Sequence, residues 1–397
     1  MTPPGPASDP RDSVGAEKKL PLRDWFFLPL LALLTVVTLT AALDEIAGRI
    51  YPESGNVGHD CIVEDPRTGV HGIPNCVSSE KHPETPLIEY RFNNCGHVAG
   101  MPCEGKVPGV FRIVMIGSST AMGFGVARER SFAALLPEEL SRRTGRRIEL
   151  YNESLVRSFP RTIALNFREV REASPDLILW ILTAADIRGE LPPPHSQLTE
   201  GDTESGRTSG SRLLRRVQRA ITSGSARDEV LSVWDQHSIS LLARHLLYQS
   251  PSLYVKSYLM QGDEAGFLRT PPNVEWQNRL RLLDGYTADI EAQAKTAGVP
   301  LAAVFLPTRG QAAMLSSGEW PKGYDPFLLD DTVRSIVTAR GAVYIDVVPD
   351  FRGIANAERI YFPVDGHLNP AGHKVVSSLL AAKLSGAINN IQGLSDR

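Results

Sequence analysis

Two short blocks, far apart in the chain, carry side chains whose types and spacing can do nucleophilic chemistry. The first, Ile116 to Gly125, reads IGSSTAMGFG and follows an apolar run, Phe111 to Ile116 (FRIVMI), with the character of a buried strand. A strand ending in a turn of small residues presents a hydroxyl at the edge of a sheet, where α/β folds place their chemistry. The second, Tyr361 to His373, reads YFPVDGHLNPAGH and sets Asp365 just before His367 on a turn-rich loop, ahead of a helix that starts at Pro370. A serine hydroxyl becomes a nucleophile when an imidazole within hydrogen-bond reach takes its proton and a carboxylate holds that imidazole in the right tautomer. Ser119, His367 and Asp365 are such a set if the fold joins the blocks. Taken singly, each block also reads as a helix cap or a polar loop.

The elements around the blocks decide whether they can meet. From Gly109 onward, apolar β-rich runs alternate with amphipathic helical ones: strand Phe111–Ile116, helix Ser131–Arg143, strand Arg147–Tyr151, helix Thr162–Ala173 and strand Leu177–Leu182. After a break come helix Val274–Ala297, strand Pro300–Leu306, helix Leu328–Arg340, strand Ala342–Val348 and helix Pro370–Leu384. Such alternation predicts βαβ units and a mostly parallel five-stranded sheet, a three-layer αβα sandwich of flavodoxin-like type over residues 109–390. The break, an insertion at about 188–272, opens with a Pro, Gly and Ser-rich stretch from Leu191 that reads as a mobile linker. Its basic residues Arg212, Arg215, Arg216 and Arg219 read as a solvated helix face, and Ser238–Tyr248 as a lid over the sheet edge, with His245 as ordinary helix surface or packing.

Upstream of the sandwich, Trp25 to Leu43 carries no charge over the length an apolar helix needs to cross a bilayer. Lys18, Lys19 and Arg23 precede it, and Asp44 and Glu45 follow. The positive-inside rule then makes residues 1–24 a disordered cytoplasmic tail, 25–43 an uncleaved anchor, and places the rest outside the cytoplasm. All four cysteines, Cys61, Cys76, Cys95 and Cys103, fall in the loop-rich segment 44–108. Without CxxC spacing, and beyond a translocated segment, they predict two disulfides whose pairing stays open. His59, His71, His82 and His97 share that segment at irregular spacing and without a carboxylate cluster, so no metal site is expected. A formal charge of -3 over 397 residues with no Lys/Arg block announces no surface for nucleic acid.

IGSSTAMG after the first strand together with DGHLNPAGH before the last helix resembles the SGNH/GDSL hydrolase superfamily, over about Val110 to Leu384. The resemblance implies Ser119 as nucleophile, Asp365 and His367 as its partners, and no metal or organic cofactor. His373, inside the last helix, has no role in it. Two departures stand out. Many members place Asp three before His; the tighter DGH also resembles periplasmic polysaccharide acetyltransferases. The family's oxyanion hole combines the nucleophile's N–H, a block-two glycine N–H and a block-three asparagine. This chain reads YNESLVRSFP without glycine in block two, and ILTAADI in block three, where Ala185 replaces the asparagine and Asp186 matches the aspartate after it. A missing donor costs about a hundred- to thousandfold in rate. The candidates to fill the hole are the N–H groups of Ser119 and Ser154, together with Arg157, Asn152 and Thr183.

Three functions follow as expectations. The first is a membrane-anchored esterase that removes a short acyl group, acetyl above all, from an envelope glycan or similar ester. The second is an O-acetyltransferase that passes the acyl group to a sugar and draws on a membrane acyl-donor protein. The third is a catalytically degenerate glycan-binding member.

Overall fold

The computed structural model describes residues 22–51, 61–65, 67–103, 105–189 and 238–395. The tail before residue 22, His59 and the arginines Arg212 to Arg219 lie outside the described residues. At the centre is a five-stranded sheet of β5 (Phe111–Ile116), β6 (Ile148–Asn152), β7 (Leu177–Leu182), β8 (Leu301–Phe305) and β9 (Val343–Tyr344), numbered after four short strands upstream. Its order is β6-β5-β7-β8-β9 and every neighbouring pair is parallel. Every residue of β5, β7 and β8 is buried, as strands covered on both faces must be.

Helix α3 (Phe132–Thr144) packs against α11 (Pro370–Ser395); α4 (Pro160–Glu172) and α10 (Leu328–Arg340) both pack against α8 (Val274–Ala297). With right-handed crossovers, the reversal of direction after β6 sends these two groups to opposite faces of the sheet. That same reversal sets the ends of β5 and β7 side by side, at the switch point where doubly wound sheets hold ligands.

The last strand is shorter than the predicted Ala342–Val348. Pairing with β8 stops at Tyr344, and a 3₁₀ turn from Val348 to Gly353 with Pro349 in its first turn takes over. The segment between the anchor and the sandwich is more regular than its sequence suggests. It forms two antiparallel hairpins, β1 (Ile62–Asp65) with β2 (Gly69–Gly72) and β3 (Val77–Lys81) with β4 (Leu87–Arg91). In β3 the inward positions are Ser78 and Glu80, so burial alternates where hydrophobicity does not. Disulfides Cys61–Cys76 and Cys95–Cys103 tie this module. Its small core of Ile62, Val70, Ile88, Tyr90 and Phe92 includes Met122 and Leu155 from the sandwich.

Helix α1 runs Leu22–Ile50, past the predicted end at Leu43. The part from Phe26 is long and apolar enough to span a membrane, and its apolar side chains are exposed. Where α1 passes α6 (Ser238–Leu247), Asp44 Oδ1 accepts the N–H of Ile239 at 3.0 Å. Two further helices were not anticipated: α7 (Pro251–Leu259) and α9 (Arg309–Ser317), the latter started by a Thr308/Gln311 capping box.

Candidate active site

The turn after β5 requires glycine. A Cβ on Gly117 would stand 2.8 Å from the carbonyl oxygen of Ile181 in β7, so the chain can pass that strand only without a side chain. Ser118 and Ser119 then open a single helical turn, α2 (Ser119–Met122). The hydroxyl of Ser118 is buried and donates to Asp186 Oδ1, while Ser119 faces the other way. Ser119 Oγ lies 2.8 Å from His367 Nε2, and His367 Nδ1 lies 2.8 Å from Asp365 Oδ1. The predicted nucleophile, base and carboxylate are therefore one relay.

The tight DGH spacing works because Gly366 adopts φ 84, a left-handed turn that folds the carboxylate back onto both the backbone N–H and the ring of the same histidine. Burial alone would raise the Asp365 carboxyl. The charge on His367 and its two hydrogen bonds, with the more distant His82, outweigh burial and hold the group below its ordinary value. Asp365 thus stays ionised through the pH range in which imidazole titrates.

Of the oxyanion candidates, only the N–H of Ser119 remains available. The Ser154 N–H donates to Asn152 Oδ1 at 3.1 Å, and the Asn152 amide donates to the Ala121 carbonyl at 3.0 Å, so both brace α2 from behind. Thr183 gives its N–H and its hydroxyl to Asp186 Oδ2, each at 2.6 Å. Arg157, at φ 65, extends to Glu64 on β1 at 3.3 Å, toward the hairpin module. Ser154, Asn152 and Thr183 are engaged because buried polar atoms in the loops around a turn are used up in holding those loops, whereas Arg157 is exposed and points to the hairpin. Asp186, carried by α5 (Ala184–Arg188), ties the two loops together. Burial raises its pKa, against the bonds from Ser118 and Thr183 that lower it.

What remains are the N–H groups in the first turns of α2 and α5, which have no intrahelical acceptor. Thr183, the cap of α5, accepts only from Asp186. Ala184 and Ala185 line the cleft with His367, so position 185 faces the site and offers only a methyl group. The cleft encloses about 290 Å³. Its far wall joins the end of the predicted lid segment, Tyr248, to the unanticipated α7, which presents Tyr254 and Tyr258.

Two residues of this site were not singled out in the sequence. Arg309 is buried, stacks 3.7 Å from the Tyr254 ring centroid, and donates to the carbonyls of Tyr248, Glu358 and Pro363. It fastens the lid to the triad loop. Glu84, in the turn between β3 and β4, accepts the N–H groups of Val364 and Asp365 on one oxygen, both at 2.9 Å, and faces His245 Nδ1 at 2.9 Å with the other. His245 is thus a partner of the site and not ordinary helix surface. The His82 ring packs at a tilt against Phe124, which packs at a tilt against His367. No local pattern announces such roles, because the partners of Arg309 and Glu84 all lie on elements remote from them in the chain. The expectation that no carboxylates join the N-terminal histidines also fails: His97 meets Glu153 and Glu169, which come from the sandwich.

No protein-family model matches the chain, and no curated protein matches it either. Solved structures similar to it are SGNH hydrolases, esterases and lipases by name. TesA is 10% identical with a TM-score of 0.37, over 69% of this chain and 97% of TesA. The esterase EstA from Pseudoalteromonas sp. is 11% identical with a TM-score of 0.38, over 70% and 98%. A lipase/acylhydrolase from Enterococcus faecalis is 10% identical with a TM-score of 0.35, over 70% and 96%. Likenesses of this size leave the weight on the sheet order and the relay described above.

Proposed function

We propose that the chain is an SGNH-type serine ester hydrolase, anchored by α1 with its catalytic domain outside the cytoplasm, that removes a short acyl group, acetyl above all, from an envelope glycan. The observation that carries this reading is the unbroken relay Ser119–His367–Asp365 at the open edge of a buried sheet. With Nδ1–H donated to Asp365, the free Nε2 lone pair takes the Ser119 proton as Oγ attacks the ester carbonyl. The oxyanion is received by the Ser119 N–H and first-turn N–H groups of α5. His367 then gives its proton to the departing alcohol, and water, deprotonated by the same imidazole, releases the acid and regenerates Ser119. The tyrosines of the lid supply flat apolar surface with polar tips, which suits a sugar ring. Disulfides in the module next to the anchor suit an oxidising compartment.

The compact DGH turn favours a second reading, in which a sugar hydroxyl replaces water and a membrane acyl-donor protein loads Ser119. Product analysis with added sugar acceptor separates the two, since transfer exceeds hydrolysis only in the second. The shared step is tested by fluorophosphonate labelling of wild type and of Ser119→Ala, His367→Ala and Asp365→Ala. Labelling is expected in wild type, absent in Ser119→Ala and weak in the other two. A well-folded wild type that takes no label would overturn both readings and leave glycan binding without catalysis.

A further inference from the structure

On the side of the nucleophile turn away from the cleft lies a small pocket of about 30 Å³, lined by Ile116, Gly117, Val70 and three chemically loaded residues. These are His97, from the loop closed by Cys95–Cys103, Glu153, just after β6, and Glu169, on α4. One atom from each, an imidazole nitrogen and two carboxylate oxygens, lies within 4.8 Å of the others. A cavity this small holds one water or one bare ion.

Carboxylates gathered together are not by themselves a site, but Glu153 adds an independent fact. It is only 9% exposed, it lines the pocket, and its Oε2 has no hydrogen-bond partner. An unpaired buried carboxylate oxygen is costly, and a bound cation is one of the few things that relieves it. His97 is prepared as a ligand by its neighbours. Its Nδ1 is engaged by the Tyr151 hydroxyl at 3.1 Å, which leaves Nε2 facing Glu169 at 3.8 Å and fixes the ring, as a second shell does at metal sites. His71 Nδ1 stands 3.5 Å from the other oxygen of Glu169 and steadies that carboxylate from outside.

We propose that His97, Glu153 and Glu169 bind a divalent transition-metal ion, zinc in the first place, which clamps the disulfide-tied module to the sandwich behind the catalytic turn. One nitrogen and two carboxylate oxygens form a borderline-hard set that suits zinc, whereas calcium and magnesium favour oxygen alone. Bonds of about 2.0–2.2 Å require the three atoms to close in by roughly 1 Å. The half-exposed Glu169 side chain can supply most of that movement. The ion would neutralise buried Glu153 and its neighbour Glu169 and would join the loop of His97 to β6 and α4. It sits behind Gly117 and not in the cleft, so it braces the turn and takes no part in the acyl chemistry.

The test uses the tag-free full chain in detergent, stripped with EDTA and titrated with zinc chloride, with calcium and magnesium chloride as comparators. Zinc content by mass spectrometry is expected to reach one per chain, with Tm rising as zinc is added and unmoved by the other two ions. Glu153→Gln and Glu169→Gln are each expected to weaken zinc binding by more than about tenfold. Ser119→Ala, at the front of the turn, is expected to leave binding unchanged. Glu169 is partly exposed, so its variant folds even if the Glu153 variant does not. Zinc that binds equally well to Glu169→Gln lies elsewhere, and that result overturns the proposal. A wild type that neither retains zinc nor gains Tm overturns it too, and would mean that Glu153 is simply protonated in its cavity.

Discussion

At the scale of single residues, the relay is set by two glycines as much as by the serine, aspartate and histidine. Gly117 lets the chain turn against β7, and Gly366 folds Asp365 onto His367. The weakest point is Ala185, which faces the cleft with no donor to offer. Replacing it by asparagine adds an amide where the oxyanion forms. Ala185→Asn is expected to raise kcat on a short acyl ester by up to about a hundredfold, with little change in KM, because the added bond exists only in the transition state. Steady-state kinetics on an aryl acetate would show it. A rate that falls would mean that the first turn of α5 already fills that space.

At the scale of elements, the hairpin β3–β4 is part of the site although it precedes the sandwich in sequence. Its turn holds the triad loop through Glu84, and the lid holds Glu84 through His245. Glu84→Ala leaves two N–H groups of that loop without an acceptor and lets Asp365 drift, so kcat is expected to drop by ten- to a hundredfold. Glu84→Gln keeps a carbonyl acceptor and should recover most of the loss. Equal kcat in all three proteins would show that the loop holds itself. The strands of this hairpin were not legible in the sequence, since Ser78 and Glu80 occupy buried positions where a periodicity reading looks for apolar ones. By contrast β5, β7 and β8 were legible at once, because strands buried on both faces must be apolar throughout.

For the whole molecule, two consequences follow from where the buried groups lie. His373 is fully buried between α11 and α3, accepts the Phe132 N–H on Nδ1, and is pushed down to about 3 by burial and then by His367. Between about pH 6.5 and 3 the unfolded chain therefore binds a proton that the folded chain does not. Stability from this group is full above pH 6.5 and falls as pH falls, by on the order of 1 kcal/mol per pH unit. Tm measured from pH 7 to pH 4.5 should drop more steeply in wild type than in His373→Gln, and parallel curves would remove the effect. The anchor is the second consequence. Deleting residues 1–43 takes away most of the exposed apolar helix yet keeps Asp44, which accepts the N–H of Ile239 on the lid. That truncated chain is expected in the soluble fraction after ultracentrifugation with fluorophosphonate labelling intact, and sedimentation with membranes would reveal a second attachment.

By itself the sequence determined the order of the five sheet strands and of the long helices between them, the apolar span, the cysteine-bearing segment and the two blocks that meet in the relay. These depend on local pattern: runs of apolar residues, a small-residue turn after a strand, a carboxylate and an imidazole on one short loop. The tertiary structure decided the cysteine pairing, the partners that engage Ser154, Asn152, Thr183 and Arg157, and the contacts of Glu84, His245, Arg309, Glu153 and Glu169. Whether a polar side chain is free to act depends on which groups stand within about 3 Å of it. In a sheet whose neighbours in space are distant in the chain, that is settled only when the chain folds.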